Sequence, residues 1–145
     1  MCCERLLAGV DVEGVSAADP SEHVDLEPVP GAARAARKFV DAHAGVLTED
    51  VRDAALLCVS ELVTNGVLHA RTPLRLGVTR GSTRVLVTVA DSADETPQLP
   101  PTDHDRTSGR GLMLVDAVAD AWGVRHDERG KTVWFTVTSG SGGSA

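Results

Sequence analysis

The sequence predicts a single α/β domain, and three observations support that prediction. The chain has 145 residues, 42% of them hydrophobic, which suits one compact domain with a sizeable core. Residues 49–70 form a mostly apolar run of helical length. Residues 74–80 and 84–91 alternate like β-strands on either side of Gly81-Ser82-Thr83, which is a hairpin signal. Helices and strands are therefore expected in one folded unit.

Charge and cysteine content narrow the class of protein. The formal net charge is −7 at pH 7, and no Lys/Arg cluster offers a footprint for a phosphate backbone, so nucleic acid is not an expected partner. The cysteines, Cys2, Cys3 and Cys58, are odd in number, which argues against a disulfide framework and fits a reducing cytoplasm. No signal peptide or membrane-spanning run is visible, so we predict a cytoplasmic protein without a membrane partner.

The chain divides into an arm, a domain and a tail. Residues 1–22 show no clear period and predict a flexible N-terminal arm, whereas the Gly/Ser-rich residues 139–145 predict a flexible tail. The domain over residues 23–138 begins with a short edge strand at His23–Glu27. A surface helix over Gly31–His43 follows, because its small and apolar residues recur at helical spacing.

The second helix is predicted to begin after Thr48 and to run to about Ala70. Thr48 is a suitable N-cap, and Glu49 and Asp50 occupy the first turn, where the helix dipole favours negative charge. The helix is expected to stop before Pro73.

A polar stripe enters the apolar sector of this helix. At about 100° per residue, Glu61, Asn65 and His69 project along one side, and Asn65 points within about 20° of Ala54 and Cys58. Burying an amide and a carboxylate there costs on the order of a few kcal/mol unless a partner satisfies them. Neighbouring backbone is one candidate partner, and a bound ion with its ligand is the other.

A carboxylate ends a row of valines in the second strand of the hairpin. Val85, Val87, Val89 and Asp91 fall on one face, where another apolar residue would be usual at the last position. One interpretation is a strand-ending Asp that accepts loop N–H bonds. The other is a ligand-facing acceptor suited to an amino group such as the exocyclic amine of adenine.

A long loop and a glycine-rich helix start follow. Ser92–Ser108 has no helical or strand period, and a loop of that length predicts either a lid or a surface excursion. Gly109-Arg110-Gly111 then opens a helix that runs from Leu112 to Trp122-Gly123. Glycines at a helix start allow backbone N–H groups to approach a phosphate, although a plain turn and cap has the same pattern. Arg110 is a phosphate contact or a solvated surface charge, and we favour the second.

The chain ends on a turn and a strand. Gly130-Lys131 predicts the turn, and Thr132–Thr138 alternates as the last strand.

Three stretches in this order resemble the sequence boxes of the GHKL (gyrase, Hsp90, histidine kinase, MutL) ATPase superfamily. Glu61–Ala70 is similar to the N box, Val89–Asp91 to the start of the G1 box, and Thr107–Leu112 to the G2 box. The similarity extends over residues 23–138. The chain most resembles the stand-alone anti-sigma-factor serine/threonine kinases and their actinobacterial ATP-binding relatives.

The resemblance implies a fold and a ligand. The fold is a two-layer α/β sandwich of the Bergerat type, with a mixed, mostly antiparallel sheet covered on one face by helices. ATP would lie between the N-box helix and the lid, with Mg²⁺ as the accompanying ion.

The resemblance also implies roles for individual residues. Glu61 would activate or orient the attacking hydroxyl, Asn65 would bind the Mg²⁺ that bridges the phosphates, and Asp91 would accept from adenine N6. Thr132 would support Asp91, and the two glycines of the G2 box would let the backbone wrap the phosphates. The complete nucleotide-binding set is Asn65, His69, Asp91, Gly109, Arg110, Gly111, Leu112 and Thr132.

The chain departs from the family pattern in two places. Ser92-Ala93-Asp94-Glu95 follows Asp91 where many members have Gly-x-Gly, and Gly66 replaces the usual Ala of the N box. The second change costs about 1 kcal/mol of helix propensity.

The functional hypothesis is an ATP-dependent kinase that phosphorylates a Ser or Thr of an anti-sigma antagonist (STAS-type) protein. A sigma factor is a possible second partner, and a homodimer is consistent with the resemblance. The main alternative is a non-catalytic, nucleotide-gated binding module. A histidine-kinase catalytic domain is disfavoured because no dimerisation helix with a phosphoacceptor His precedes the domain.

Overall fold

The computed structural model describes residues 12, 14–16, 18–69, 71–92, 113–128 and 130–139. Its elements are β1 (Ser21–Leu26), α1 (Ala32–His43), α2 (Glu49–His69), β2 (Leu74–Arg80), β3 (Arg84–Ala90), a helical stretch α3 (113–118), β4 (Ala121–Asp127) and β5 (Gly130–Thr138). Within these ranges, the five strands form one sheet in the order β1-β2-β3-β5-β4, and every neighbouring pair is antiparallel.

The main core lies between the sheet and the helices. Alternate residues of the central strands face α1 and α2, as the period of two in a strand requires. The helices bury small and apolar residues against this surface, so both layers close on one hydrophobic cluster. The predicted two-layer α/β sandwich is therefore confirmed. The central residues are Val40, Cys58, Val59, Val63, Leu74, Leu76, Val78, Val85, Val87 and Phe135.

Helix α2 begins and ends by local signals. The backbone N–H of Val51 donates to Thr48 Oγ1 at 3.3 Å, which confirms the predicted N-cap. After His69, Arg71 adopts a left-handed conformation with φ 57° and donates its N–H to the Gly66 carbonyl at 3.3 Å. In the described ranges, no helix, α2 included, is apolar enough over a sufficient length to cross a membrane.

Two polar contacts fix α1 beside α2. The Arg52 guanidinium donates to both carboxylate oxygens of Asp41, at 2.5 and 2.9 Å, and it holds the pKa of Asp41 below its usual value. Arg37 Nη1 donates to Ser60 Oγ at 3.1 Å. Because these groups are exposed, the contacts set the alignment of the two helices more than they stabilise them.

One strand was absent from the sequence prediction. The helix expected to reach Trp122-Gly123 ends at residue 118, and Ala121–Asp127 forms β4 instead. Among the described strands it pairs with β5 alone, and a Cβ built on Gly123 would lie 2.9 Å from Trp134 Cζ2. The helix prediction is wrong there because the pairing partner, which is distant in sequence, supplies the backbone hydrogen bonds that a local pattern cannot reveal.

The boundaries of two other strands also differ. β5 begins at Gly130, so the predicted turn at Gly130-Lys131 is part of the strand. β1 begins at Ser21, whose hydroxyl lies 2.7 Å from that of Thr79 on β2. Both extensions follow from pairing with a neighbouring strand.

A second, smaller cluster lies on the sheet face away from the helices. Val12 and Val15 pack there against Leu86 and Trp134, and the Thr83 N–H donates to the Gly14 carbonyl at 3.5 Å. These residues fall within the arm predicted over residues 1–22. The part of the arm before residue 12 lies outside the described residues.

Packing of this segment on the sheet predicts a stability effect. Val15→Ala should lower the free energy of unfolding by about 1 kcal/mol, because it removes partly buried methyl groups. The matched control is Val46→Ala, since Val46 is 70% exposed and should change stability little. Urea unfolding measures both, and equal stabilities for the two variants would mean that the segment is a loose arm in solution.

Candidate functional site

The second half of α2 lies at one end of the sheet, next to the start of β2. A Cβ built on Gly66 would lie 3.0 Å from Leu74 Cδ2, so the helix backbone approaches this side chain closely. In the register of β2 with β3, Arg75 faces Ala90, the residue that precedes Asp91. The polar stripe of α2 and Asp91 therefore lie at the same end of the sheet. The nearby Leu74 side chain leaves little room for a Cβ at position 66, which is consistent with a glycine there.

Asn65 carries an unsatisfied polar atom. Its Oδ1 is buried and has no hydrogen-bond partner among the described residues. Leaving a carbonyl oxygen buried and unpaired costs about 1–3 kcal/mol, and such groups in folded proteins usually mark an absent partner. Within the described part of the chain, no neighbouring backbone group satisfies this oxygen, so the first interpretation of the stripe finds no support there.

The chemistry of this oxygen fits a hard cation. Mg²⁺ takes oxygen ligands and commonly uses one or two protein groups together with substrate phosphates. In the described ranges, no group of three or more His, Cys, Asp or Glu side chains is arranged to hold a metal ion alone. A cation at Asn65 would therefore share its ligands between this amide oxygen and phosphate oxygens.

Glu61 lies one helical turn before Asn65. It is half-buried, and no hydrogen bond or salt bridge joins it to another described residue. Residues four apart on a helix have Cβ atoms about 5–6 Å apart, so this carboxylate and the Asn65 amide project side by side. The carboxylate is thus available to act on a group held at Asn65.

Cys58 lies on the buried side of the same helix. Burial, and secondarily the nearby Glu61 carboxylate, raises the pKa of its thiol to about 12. The thiol is therefore protonated at neutral pH and is a core residue rather than a nucleophile.

Asp91 is buried at the end of β3. Its side chain is 5% exposed, and Oδ2 accepts a hydrogen bond from Lys131 Nζ at 2.8 Å. Its backbone N–H donates to the Lys131 carbonyl at 2.9 Å. The carboxylate therefore ends the row of valines inside the protein, paired with an ammonium group.

Gly130 allows this close approach of the two strands. It has φ 154°, and a Cβ there would lie 2.2 Å from the backbone oxygen of Asp91. No side chain fits at that distance, so the start of β5 requires a residue without one.

The other predicted residues have different positions. Thr132 is 3% exposed and faces Ala90 across the β3–β5 pair, and by strand alternation its side chain lies on the face opposite to Val133. His69 is exposed in the last turn of α2. The predicted G2 residues Gly109, Arg110, Gly111 and Leu112 lie outside the described residues.

The lid interpretation concerns residues that are mostly outside the described ranges. Of Ser92–Ser108 only Ser92 is described, and its backbone N–H donates to Thr72 Oγ1 at 3.1 Å. Thr72 follows α2, so the first residue of the segment is anchored beside the helix that carries Asn65.

A shallow cleft lies at the other end of α2. Its lining includes Val51 and Ala54 from the first turns of the helix, with Asp120 and Thr138 across from them. Ala54 precedes Asn65 by eleven residues, which is roughly 16 Å along a helix. The cleft is therefore separate from the residues discussed above.

Comparison with known families identifies the domain. A family model described as the histidine kinase-like ATPase domain matches residues 25–137, which is most of the chain. The chain belongs to this family. The resemblance to the GHKL superfamily is thus confirmed, and membership of the histidine kinase-like ATPase family implies ATP binding. No curated protein matches the chain.

The sequence did not indicate that Lys131 would contact Asp91. Its partner Asp91 is 40 residues away along the chain, and the two meet only because β3 pairs with β5. The one local signal was Gly130, since a glycine before an alternating strand marks close backbone approach.

The unsatisfied Asn65 oxygen predicts that the nucleotide-free protein gains stability when the amide is removed. Asn65→Ala should raise the free energy of unfolding by about 1–2 kcal/mol, through helix propensity and relief of the buried carbonyl. The matched control is Thr64→Ala, an exposed neighbour that gains helix propensity only. Urea unfolding without nucleotide should rank Asn65→Ala above Thr64→Ala, and the opposite order would mean that the Asn65 amide is satisfied in solution.

Cys58 predicts a loss of stability at alkaline pH. The thiol ionises near its ordinary pKa of 9.0 in the unfolded chain, whereas the folded protein keeps it protonated to about 12. The folded state then binds more protons, so stability falls as pH rises between these values, by up to about 1.4 kcal/mol per pH unit. The measurement uses a parent protein in which Cys2 and Cys3 are replaced by Ser. Between pH 8 and pH 10 its free energy of unfolding should fall more than that of the same protein carrying Cys58→Ala. An equal fall in both proteins would contradict the raised pKa of Cys58.

Proposed function

We propose that this ATPase domain is a regulatory protein kinase of the anti-sigma type. In this proposal it transfers the γ-phosphate of ATP to a Ser or Thr hydroxyl of a partner protein. The observation that supports it most directly is the buried, unpaired Asn65 oxygen one turn after the half-buried Glu61 carboxylate. A metal–phosphate ligand and a general base are the two groups that such a site needs.

The nucleotide would be held at both ends of the site. Asp91 would accept a hydrogen bond from the exocyclic amine of adenine, since its side chain is buried and a carboxylate has about four acceptor positions on its two oxygens. Asn65 would hold Mg²⁺, which supplies charge neutralisation to the phosphates when it is bound. The G2-box glycines, Gly109 and Gly111, would let backbone N–H groups approach the phosphates.

The transfer step is a displacement at phosphorus. The oxygen of the partner hydroxyl attacks the γ-phosphorus, and the bond from phosphorus to the ADP oxygen breaks. Glu61 accepts the hydroxyl proton, so the products are ADP and a phosphorylated Ser or Thr. Because Glu61 and Asn65 share one side of α2, a rigid helix holds the base at a constant position relative to the phosphates.

The proposed partner is an antagonist protein of the STAS type, and a sigma factor is the proposed second partner. Both proposals rest on the resemblance to stand-alone anti-sigma kinases. Arg34, Arg37 and Lys38 form an exposed basic face of α1 that would meet an acidic surface, although Arg37 is already bonded to Ser60. A solvated charged face is the account of these residues that we favour.

Binding and transfer can be tested separately. Isothermal titration should detect Mg·ATP binding by the wild type, and Asn65→Ala and Asp91→Ala should each weaken it by about tenfold or more. Chelating Mg²⁺ should weaken binding by the wild type and leave Asn65→Ala nearly unaffected, because that variant lacks the metal ligand. Ser60→Ala, on another side of α2, is the matched control. Equal affinities for all four proteins would refute the nucleotide site.

A phosphotransfer assay against candidate STAS-type proteins then tests the kinase. Glu61→Gln should retain Mg·ATP binding and lose roughly 10²–10⁴-fold in transfer rate, since general-base catalysis contributes about that much. Binding of both nucleotide and partner without any transfer, unaffected by Glu61→Gln, would favour a nucleotide-gated binding module instead.

A further inference from the structure

Lys131 and Asp91 are held together by two separate hydrogen bonds. The ammonium group donates to Asp91 Oδ2 at 2.8 Å, and the Asp91 backbone N–H donates to the Lys131 carbonyl at 2.9 Å. Beside them, Gly130 has no side chain, and a Cβ at this position would collide with the Asp91 backbone oxygen. Side chain and backbone are therefore both fixed, and the pair is a built feature of the sheet end rather than a chance surface contact.

The burial of the pair decides what Lys131 does there. The Asp91 side chain is 5% exposed and that of Lys131 is 21% exposed. A carboxylate in such surroundings is costly to keep charged unless an opposite charge accompanies it. The ammonium group occupies Oδ2, and a carboxylate has about four lone-pair positions on its two oxygens. Pairing with one ammonium group therefore compensates the charge without using all of these positions.

We propose that Lys131 is a positioning residue that balances the charge of the Asp91 carboxylate and orients it for a nucleobase amine. This inference rests on the proposed function, in which Asp91 reads the exocyclic amine of adenine. A charged acceptor forms a stronger hydrogen bond with an N–H donor than a neutral one does. Lys131 thereby contributes to base selection through Asp91 and without contact with the nucleotide.

Two other roles for this lysine predict different results. If the ammonium group blocks the base site, its removal would strengthen ATP binding. If it contacts phosphate, its removal would weaken every triphosphate equally, whatever base is attached. If Lys131 instead acts through the Asp91 carboxylate, its removal would weaken binding only of nucleotides whose base carries the amine.

The experiment compares ATP with purine riboside triphosphate, which has the same sugar and phosphates but lacks the 6-amino group. Isothermal titration with Mg²⁺ gives the preference of each variant for ATP. The wild type should prefer ATP by about tenfold, the size expected for one hydrogen bond to a charged group. Lys131→Met should reduce that preference to about twofold or less, mainly by weakening ATP binding, and Lys131→Arg should retain most of it.

A double-mutant cycle then tests whether the effect passes through Asp91. In Asp91→Asn the acceptor is a neutral amide, which needs no compensating charge. Adding Lys131→Met to Asp91→Asn should therefore change the ATP preference less than twofold. The double variant also covers the case in which Lys131→Met alone fails to fold, because it leaves no unpaired carboxylate in the interior. An equal loss in both backgrounds would overturn the proposal.

The outcomes separate this inference from the proposed function. A wild type that binds no ATP, or that binds both triphosphates equally, contradicts the proposed base site itself. A wild type that prefers ATP, together with a Lys131→Met variant that keeps the preference or binds ATP more tightly, overturns only the role of Lys131. A parallel loss of both triphosphates would assign the lysine to phosphate and would also overturn it.

Discussion

The packing of α2 against the sheet is the constraint on which the remaining structure depends. This helix supplies much of the apolar surface that closes the main core, with Cys58, Val59 and Val63 fully buried. The same helix carries Glu61 and Asn65, so its polar stripe is drawn to the edge of the core by the burial of its neighbours. The Asn65 amide oxygen at that edge has no partner among the residues the structure describes, which lowers the stability of the nucleotide-free protein. Proteins commonly retain such destabilising groups where a ligand completes them.

The pairing of β3 with β5 is the second element of the site. It brings the end of one strand to the start of the other, and it thereby joins an aspartate and a lysine that are far apart in the chain. Because Asp91 continues the face of Val85, Val87 and Val89, its side chain lies on the same side of the sheet as α2. The helix layer and the sheet layer thus both contribute candidate functional groups to the same end of the domain.

The charge of the domain is consistent with local recognition of an anion. With a net charge of −7, the chain has no general field that would attract a triphosphate. Recognition would have to come from a few groups placed close to the ligand, such as a metal ion at Asn65 and the backbone of the G2 box. The family match over residues 25–137 supports ATP as that ligand.

Local patterns were sufficient for much of the fold. The helices α1 and α2, the N-cap at Thr48 and the β2–β3 hairpin all follow from short-range signals, because capping, periodicity and turn chemistry act within a few residues. β4 was not predicted, since its hydrogen bonds come from β5 and its sequence lacks a clear alternation. The start of β5 was placed two residues late for the same reason.

The candidate site shows the same division. The stripe of Glu61 and Asn65 and the carboxylate at Asp91 were visible in the sequence as polar residues at positions where apolar ones are usual. Only the tertiary structure decided that the Asn65 oxygen has no partner among the described residues and that Asp91 is paired with Lys131. The physical reason is that side-chain type and spacing are local properties, whereas burial and pairing depend on which distant segments the sheet brings together.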